Sequence, residues 1–162
     1  MGTPGTVATI NEDNGGWIGR YVNYDAYPNG LGIDLFEAYH TAFEGNPFAM
    51  VDKLVLEPKA DWSALSGTDM SLEPTWYEFG EIDGPRPPRN YFFRPGEGAT
   101  PPLKTGDDFG QYLYLIGQDG MNVYVKYSDD VDVPAYTFIP WTTSIEEARA
   151  ILKELNDKIN GR

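Results

Sequence analysis

Tyr112-Leu113-Tyr114-Leu115-Ile116-Gly117-Gln118-Asp119-Gly120-Met121-Asn122-Val123-Tyr124-Val125-Lys126-Tyr127 reads as two β-strands joined by a Gly-rich hairpin connection. Both faces of residues 112–116 are apolar, which predicts a strand in the interior of a sheet. Residues 121–127 set Met121, Val123 and Val125 against Asn122, Tyr124 and Lys126. That period of two predicts a half-exposed neighbour. A further strand is expected over residues 136–141, and Pro140 near its end places it at an edge or a terminus.

Downstream, Ser144 with Glu147 fits a capping box, and Thr143 with Glu146 repeats the pattern one residue earlier. Ile145, Ala148, Ile151, Leu152, Leu155 and Ile159 then form one apolar stripe, closed by Gly161, so a helix ends the chain. Upstream, residues 6–10 and 17–24 are strand-like and flank the turn formers Asn11-Glu12-Asp13-Asn14-Gly15-Gly16, a second hairpin. Pro28, Gly30 and Gly32 break the extended pattern, and a helix is predicted from near Ile33. Leu35, Phe36, Tyr39, Ala42 and Phe43 share one face of it, Asp34, Glu37, Thr41 and Glu44 the other, and Gly45 is its stop.

Between these elements the signal weakens. Residues 50–56 fit a short helix or a strand equally, and residues 58–67 carry Trp62 and Leu65 with little periodicity. Residues 80–106 hold Pro85, Pro87, Pro88, Pro95, Pro101 and Pro102 and read as an irregular excursion, in which Tyr91-Phe92-Phe93 should dock or form a strand. The order predicts one α+β domain over residues 1–162, with a mainly antiparallel sheet of about five strands and two helices packed on one face.

The composition, 41% hydrophobic and 14% aromatic over 162 residues, is too rich in core-forming side chains for a disordered chain. Twenty-five acids against 12 bases leave a net charge of −13, a field that repels nucleic-acid phosphates and suits a basic protein surface or mimicry of nucleic-acid charge. The acids are dispersed along the chain, as they are on a surface kept soluble by carboxylates. There is no cysteine, no leader-like start and no apolar run of about 20 residues, so a soluble protein of the reducing cytoplasm is expected, without a membrane span.

Familiar catalytic constellations are missing. His40 is the one histidine and has no cysteine to share a metal with, which argues against zinc; no Gly-x-Ser-x-Gly elbow occurs. Asn29-Gly30-Leu31-Gly32 precedes a helix but lacks the Lys and Ser/Thr of a phosphate-binding loop, and no cofactor is implied. Asp129-Asp130-Val131-Asp132 lacks the spacing and central Gly of a calcium loop. Pro85-Arg86-Pro87-Pro88-Arg89, with Arg94 and the aromatics between, fits either a stiff loop or a polyproline segment presented to a partner. Asp25 ends a strand beside a Pro/Gly-rich loop, where an Asx-type turn explains it as well as chemistry does.

The stretch Asn23-Tyr24-Asp25-Ala26-Tyr27-Pro28, with the strand-like residues 6–10 before it and Gly30-Leu31-Gly32 after it, resembles a family of small proteins common in actinobacterial phages and some bacteria. Those carry a Ser-Thr-Ile-Ala-like strand and then Tyr-Cys-His-Trp-Asp-Gly-Tyr-Pro. Weaker similarity continues through Val51-Asp52-Lys53-Leu54 and Asp61-Trp62-Ser63-Ala64-Leu65, Asn90 to Glu97, and Tyr112-Leu113-Tyr114-Leu115. The motif's His, Trp and Gly stand here as Asn23, Tyr24 and Ala26, so an activity resting on that His would be lost.

The resemblance implies a phage setting and no mechanism. It leads to the expectation of a phage-encoded, non-enzymatic interaction protein acting on a host or defence protein, with a homodimer also open. A competing expectation is a nucleotide-like small-molecule binder or degenerate enzyme, its pocket walled by Tyr24, Asp25, Tyr27, Tyr91, Arg94 and Trp141, which pair a carboxylate and a guanidinium with aromatic faces. A third is an acidic DNA mimic, which needs carboxylates on one face at phosphate-like spacing.

Overall fold

The structure is a computed structural model and describes residues 2–71, 100–126 and 135–160, together with the backbone of residues 92–93. Strands β1 (Gly5–Ile10) and β2 (Trp17–Tyr24) form the first hairpin. A wide π-type turn, Pro28–Gly32, runs straight into α1 (Ile33–His40). Helix α2 (Pro47–Val51) likewise continues into a π-type turn at Asp52–Leu56, which settles the ambiguous segment as helical. Then come β3 (Trp62–Ala64), β4 (Phe92–Phe93), β5 (Leu103–Lys104), β6 (Tyr112–Ile116), β7 (Gly120–Val125), β8 (Tyr136–Pro140) and α3 (Ile145–Ile159).

The sheet is mixed, and this corrects the expectation of a mainly antiparallel one. Seven strands lie on one path, β4-β3-β2-β1-β6-β7-β8, with the two-residue β5 beside β2. Both hairpins are antiparallel, but β1 pairs β6 in parallel and β2 pairs β3 in parallel. The cause is connectivity. The helical segment between β2 and β3 is long enough to return the chain alongside β2 in the same direction, as a parallel pair requires. Strand β4 falls within Tyr91-Phe92-Phe93, where a strand is one of the two expectations, whereas β3 and β5 are three and two residues long, too short for a period to register.

Register assigns the two faces. Val7 opposes Tyr114, Tyr114 opposes Val123, and Val22 opposes Trp62. All are buried in one cluster with Leu35, Phe36, Leu54, Leu152 and Leu155, so the helices cover this face. Ser144 caps α3 as its capping box predicts, its hydroxyl accepting from Glu147 N at 3.1 Å. On the other face Thr6, Ala8 and Leu113 are buried too, and Thr6 Oγ1 donates to the Phe109 carbonyl at 2.9 Å. Beyond them that face opens onto Tyr124 and Tyr136, whose rings lie 5.7 Å apart.

Two anchors hold the chain where β2 gives way to the helices. Ala26 N donates to Thr3 O at 2.9 Å, and the buried Tyr114 hydroxyl donates to Ala26 O. Ala26 is fully buried against Gly5, where a β-carbon would stand 2.7 Å from the Ala26 methyl and 2.9 Å from the Tyr112 carbonyl oxygen. Gly32 makes a looser approach on the far side of the turn, a β-carbon there meeting Leu152 and Tyr114 side-chain atoms at 3.1 and 3.2 Å.

Gly5→Ala is expected to cost about 2 kcal/mol by overpacking. Adding Ala26→Gly should recover about 1 kcal/mol of that loss, the Tyr112 carbonyl clash remaining. Urea midpoints of the two single variants and the double variant measure the coupling.

Tyr114 generates a second expectation. Burial raises its pKa well above the ordinary tyrosine value of 10, with Tyr112 adding to the effect. The native state therefore holds this proton more tightly than the unfolded chain does. Its contribution is intact below pH 10 and is lost as pH climbs from there toward the native pKa. Tyr114→Phe should cost about 1 kcal/mol at pH 7 through the missing hydrogen bond, yet flatten the fall in stability above pH 10. Thermal unfolding between pH 7 and 11 checks both limbs.

Candidate functional site

The aromatic-carboxylate set expected to wall a pocket divides along the sheet. Tyr24, Asp25 and Tyr27 come together in the turn after β2, and the side chains of all three are exposed. Asp25 has φ 62°, a left-handed conformation that few non-glycine residues adopt. The two anchors on Ala26 impose it, because the chain must leave β2 sharply to place Ala26 between Thr3 and Tyr114. Trp141 belongs to the other end. Its indole stacks on Tyr39 at 3.9 Å and donates Nε1 to Gly117 O at 2.9 Å. The β1 and β6 strands separate the two groups by about 20 Å, at about 3.3 Å per residue. Tyr91 and Arg94 lie outside the described residues, as do the Pro85 to Arg89 and Asp129 to Asp132 segments.

His40 is exposed at the end of α1 and packs edge-on against Tyr39 at 4.8 Å. Among the described residues no group of three or more His, Cys, Asp and Glu gathers to hold a metal ion. No helix among them is long and apolar enough to cross a membrane.

Arg20 is the buried charge that the strand pattern does not disclose. It faces the helix-covered side of β2, opposite Val7, and is 5% exposed. Nη1 donates to Thr100 O at 2.8 Å, pinning the segment before β5 into the gap between β3 and β5. Burial lowers the guanidinium's pKa and the nearby Asp61 carboxylate raises it. This is a structural strut with a fixed backbone partner.

A broad concavity forms where β1 and β6 end together. A cleft of about 590 Å³ has Ile10, Ile18 and Ile116 on its strand side and Phe48, Val51 and Leu56 on its α2 side. Phe48 is 66% exposed, and Ile10 and Leu56 are each 53% exposed, so the cleft is open and its apolar lining meets solvent. Glu12, Asp13 and Asp52 stand at its rim, and no Lys or Arg is among the described lining residues. The volume falls in the range of about 300–1,000 Å³ typical of ligand sites. Its place, outside the carboxyl ends of two parallel neighbours, is where open sheets commonly bind.

Local sequence builds each wall. Asn46 caps α2, its Oδ1 accepting from Phe48 N at 3.0 Å and Ala49 N at 3.2 Å, with Pro47 preset for the first turn. The cap directs Phe48 outward. The π-type turn after it closes with Glu57 N to Asp52 O at 2.8 Å, and Trp62 Nε1 donates to Leu54 O at 2.9 Å. In the hairpin turn Asp13 N donates to Asn11 Oδ1 at 3.1 Å and Gly16 N to Asn14 Oδ1 at 2.9 Å. The third wall is the β6–β7 turn, held from behind by Trp141 through its ring nitrogen to Gly117 O and its amide to Asp119 O. Trp141 thus positions the cleft without lining it.

Sequence analysis missed this site because its residues come from three separated segments. Residues 50–56 are ambiguous between helix and strand, so the sequence assigns Leu56 to neither a buried nor an exposed face. Comparison with protein-family models, with curated proteins and with solved structures returned no match to this chain.

The geometry at Asp25 is open to test. Asp25→Gly, which accepts the left-handed backbone freely, should keep or raise stability by up to about 1 kcal/mol, whereas Asp25→Ala should lower it by about 1 kcal/mol. Chemical denaturation of both variants measures this, and equal losses would contradict a turn role for Asp25.

Proposed function

We propose that this chain is a non-enzymatic interaction protein that engages a partner protein through the cleft between β1, β6 and α2. The observation that carries the reading is the gathering of exposed apolar side chains at one place. Ile10, Phe48 and Leu56, three of the seven large hydrophobic residues exposed among those described, share this cleft. Exposed apolar surface collected in this way marks contact sites, whereas single exposed residues do not. The carboxylate rim selects against anionic ligands, which weighs against the nucleotide-like alternative at this cleft. The resemblance of Asn23 to Pro28 to the phage family motif supports a phage-encoded protein acting on a host protein in the bacterial cytoplasm.

The test is quantitative capture from an actinobacterial lysate using the tagged full chain. A saturable partner is expected, and Phe48→Ser with Leu56→Ser should reduce its capture more than tenfold. Tyr136→Ser with Phe138→Ser, at a separate exposed aromatic surface, should leave capture unchanged. All four substitutions are at exposed positions, so circular dichroism should show unaltered folding. Capture that is absent, or indifferent to Phe48 and Leu56, would overturn the reading.

A further inference from the structure

We infer that the cleft is built for a short cationic segment of a protein, one that inserts a long aliphatic side chain and lays a flanking Arg or Lys on the rim. The inference rests on the interaction reading above and adds the chemistry of the occupant.

Charge decides first. Glu12, Asp13 and Asp52 are the charged groups among the described lining residues, all three are exposed, and the whole chain carries −13. A phosphate, a carboxylate or an anionic lipid surface would meet repulsion at every approach, while a cation is drawn in from solution. Because the rim carboxylates stay in water, pairing with them carries little of the desolvation cost that buried ion pairs incur.

Shape decides second. The floor between Ile10, Phe48 and Leu56 is apolar, so a hydrophilic cation alone would leave it wet; the occupant needs an aliphatic group beside the charge. The cleft is too open to enclose the 70–90% of a small molecule's surface that ligand pockets of this size bury. A protein segment meets the same open wall with its own backbone outside. Arg and Lys suit the position further, since their methylene stems cover apolar surface while their heads reach water.

Preorganisation decides third. The Asn46 cap, the Asn11 and Asn14 turns and the Trp141 brace hold all three walls through hydrogen bonds of 2.9–3.2 Å. The occupant is therefore spared the entropic cost of ordering loops on this side.

The test titrates the full ¹⁵N-labelled chain with the capped peptide Arg-Leu-Leu-Arg-Leu and follows amide shifts. Saturable shifts are expected at residues 11–13, 48–52 and 117–118, with a Kd of about 1–100 µM and no shifts at residues 24–27. Replacing both arginines by citrulline, which keeps the shape and removes the charge, should weaken binding about tenfold. Glu12→Gln with Asp13→Asn and Asp52→Asn should do the same, the spectrum itself reporting that the variant is folded. The control peptide Arg-Ser-Ser-Arg-Ser should bind at least tenfold more weakly than the leucine peptide.

Equal affinity for the citrulline or the serine peptide, or saturable shifts away from the cleft, would overturn the inference. If the peptide fails while lysate capture still depends on Phe48, the interaction reading stands and only the occupant's chemistry falls. If capture is itself indifferent to Phe48 and Leu56, both fall together.

Discussion

The contact of Gly5 with Ala26 is the constraint on which the rest of the architecture hangs. With no side chain at Gly5, the buried methyl of Ala26 can close against the start of β1, and the peptide after Asp25 reaches both Thr3 and Tyr114. Those anchors set where the π-type turn begins and hence where α1 lies across the sheet. Helix α1 then presents Tyr39 and Phe36 to Trp141, and Trp141 braces the β6–β7 turn. One wall of the cleft is thus fixed by close packing that starts at the opposite end of β1.

This chain of contacts changes the meaning of the Asp-x-Tyr-Pro motif. Asp25 has a strained backbone and an exposed side chain, a combination that invites a functional reading. The strain, however, is accounted for by satisfied backbone groups on the next residue, the buried Ala26, whose N–H donates to Thr3 O and whose carbonyl accepts from the Tyr114 hydroxyl. Leaving both buried groups unpaired would cost about 2–6 kcal/mol together, against about 1–2 kcal/mol for the left-handed backbone at Asp25. The balance of magnitudes makes the turn self-explanatory.

Sequence reading succeeded wherever the physics was local. The capping box at Ser144, the alternation through Val123 and Val125, and the apolar faces of residues 112–116 each encode an element within a few residues, and each is found in place. It failed where a long-range choice decides. Nothing in residues 6–10 says that their second neighbour will be β6, running parallel, instead of another hairpin arm. Trp62 pairs with Val22 although its strand is three residues long, and Arg20 is buried on the same face as Val22 although its side chain is charged. The site was illegible for the same reason, since its walls come from residues 9–18, 47–56 and 116–118.

Two of the exposed apolar surfaces among the described residues differ in a way that bears on binding. The surface of Tyr124, Tyr136 and Phe138 lies flat on pleated strands, and two of its rings already lean on each other at 5.7 Å. Such a surface gains little concavity from which to exclude water. The cleft at Phe48 is concave, has hydrogen-bonded walls and carries charge of one sign at its rim. Hydrophobic contact and long-range attraction therefore act on the same approach path there, the charge speeding encounter and the apolar floor slowing escape. An acidic chain of net charge −13 would bind selectively where those two effects coincide, and among the described residues they coincide at this cleft.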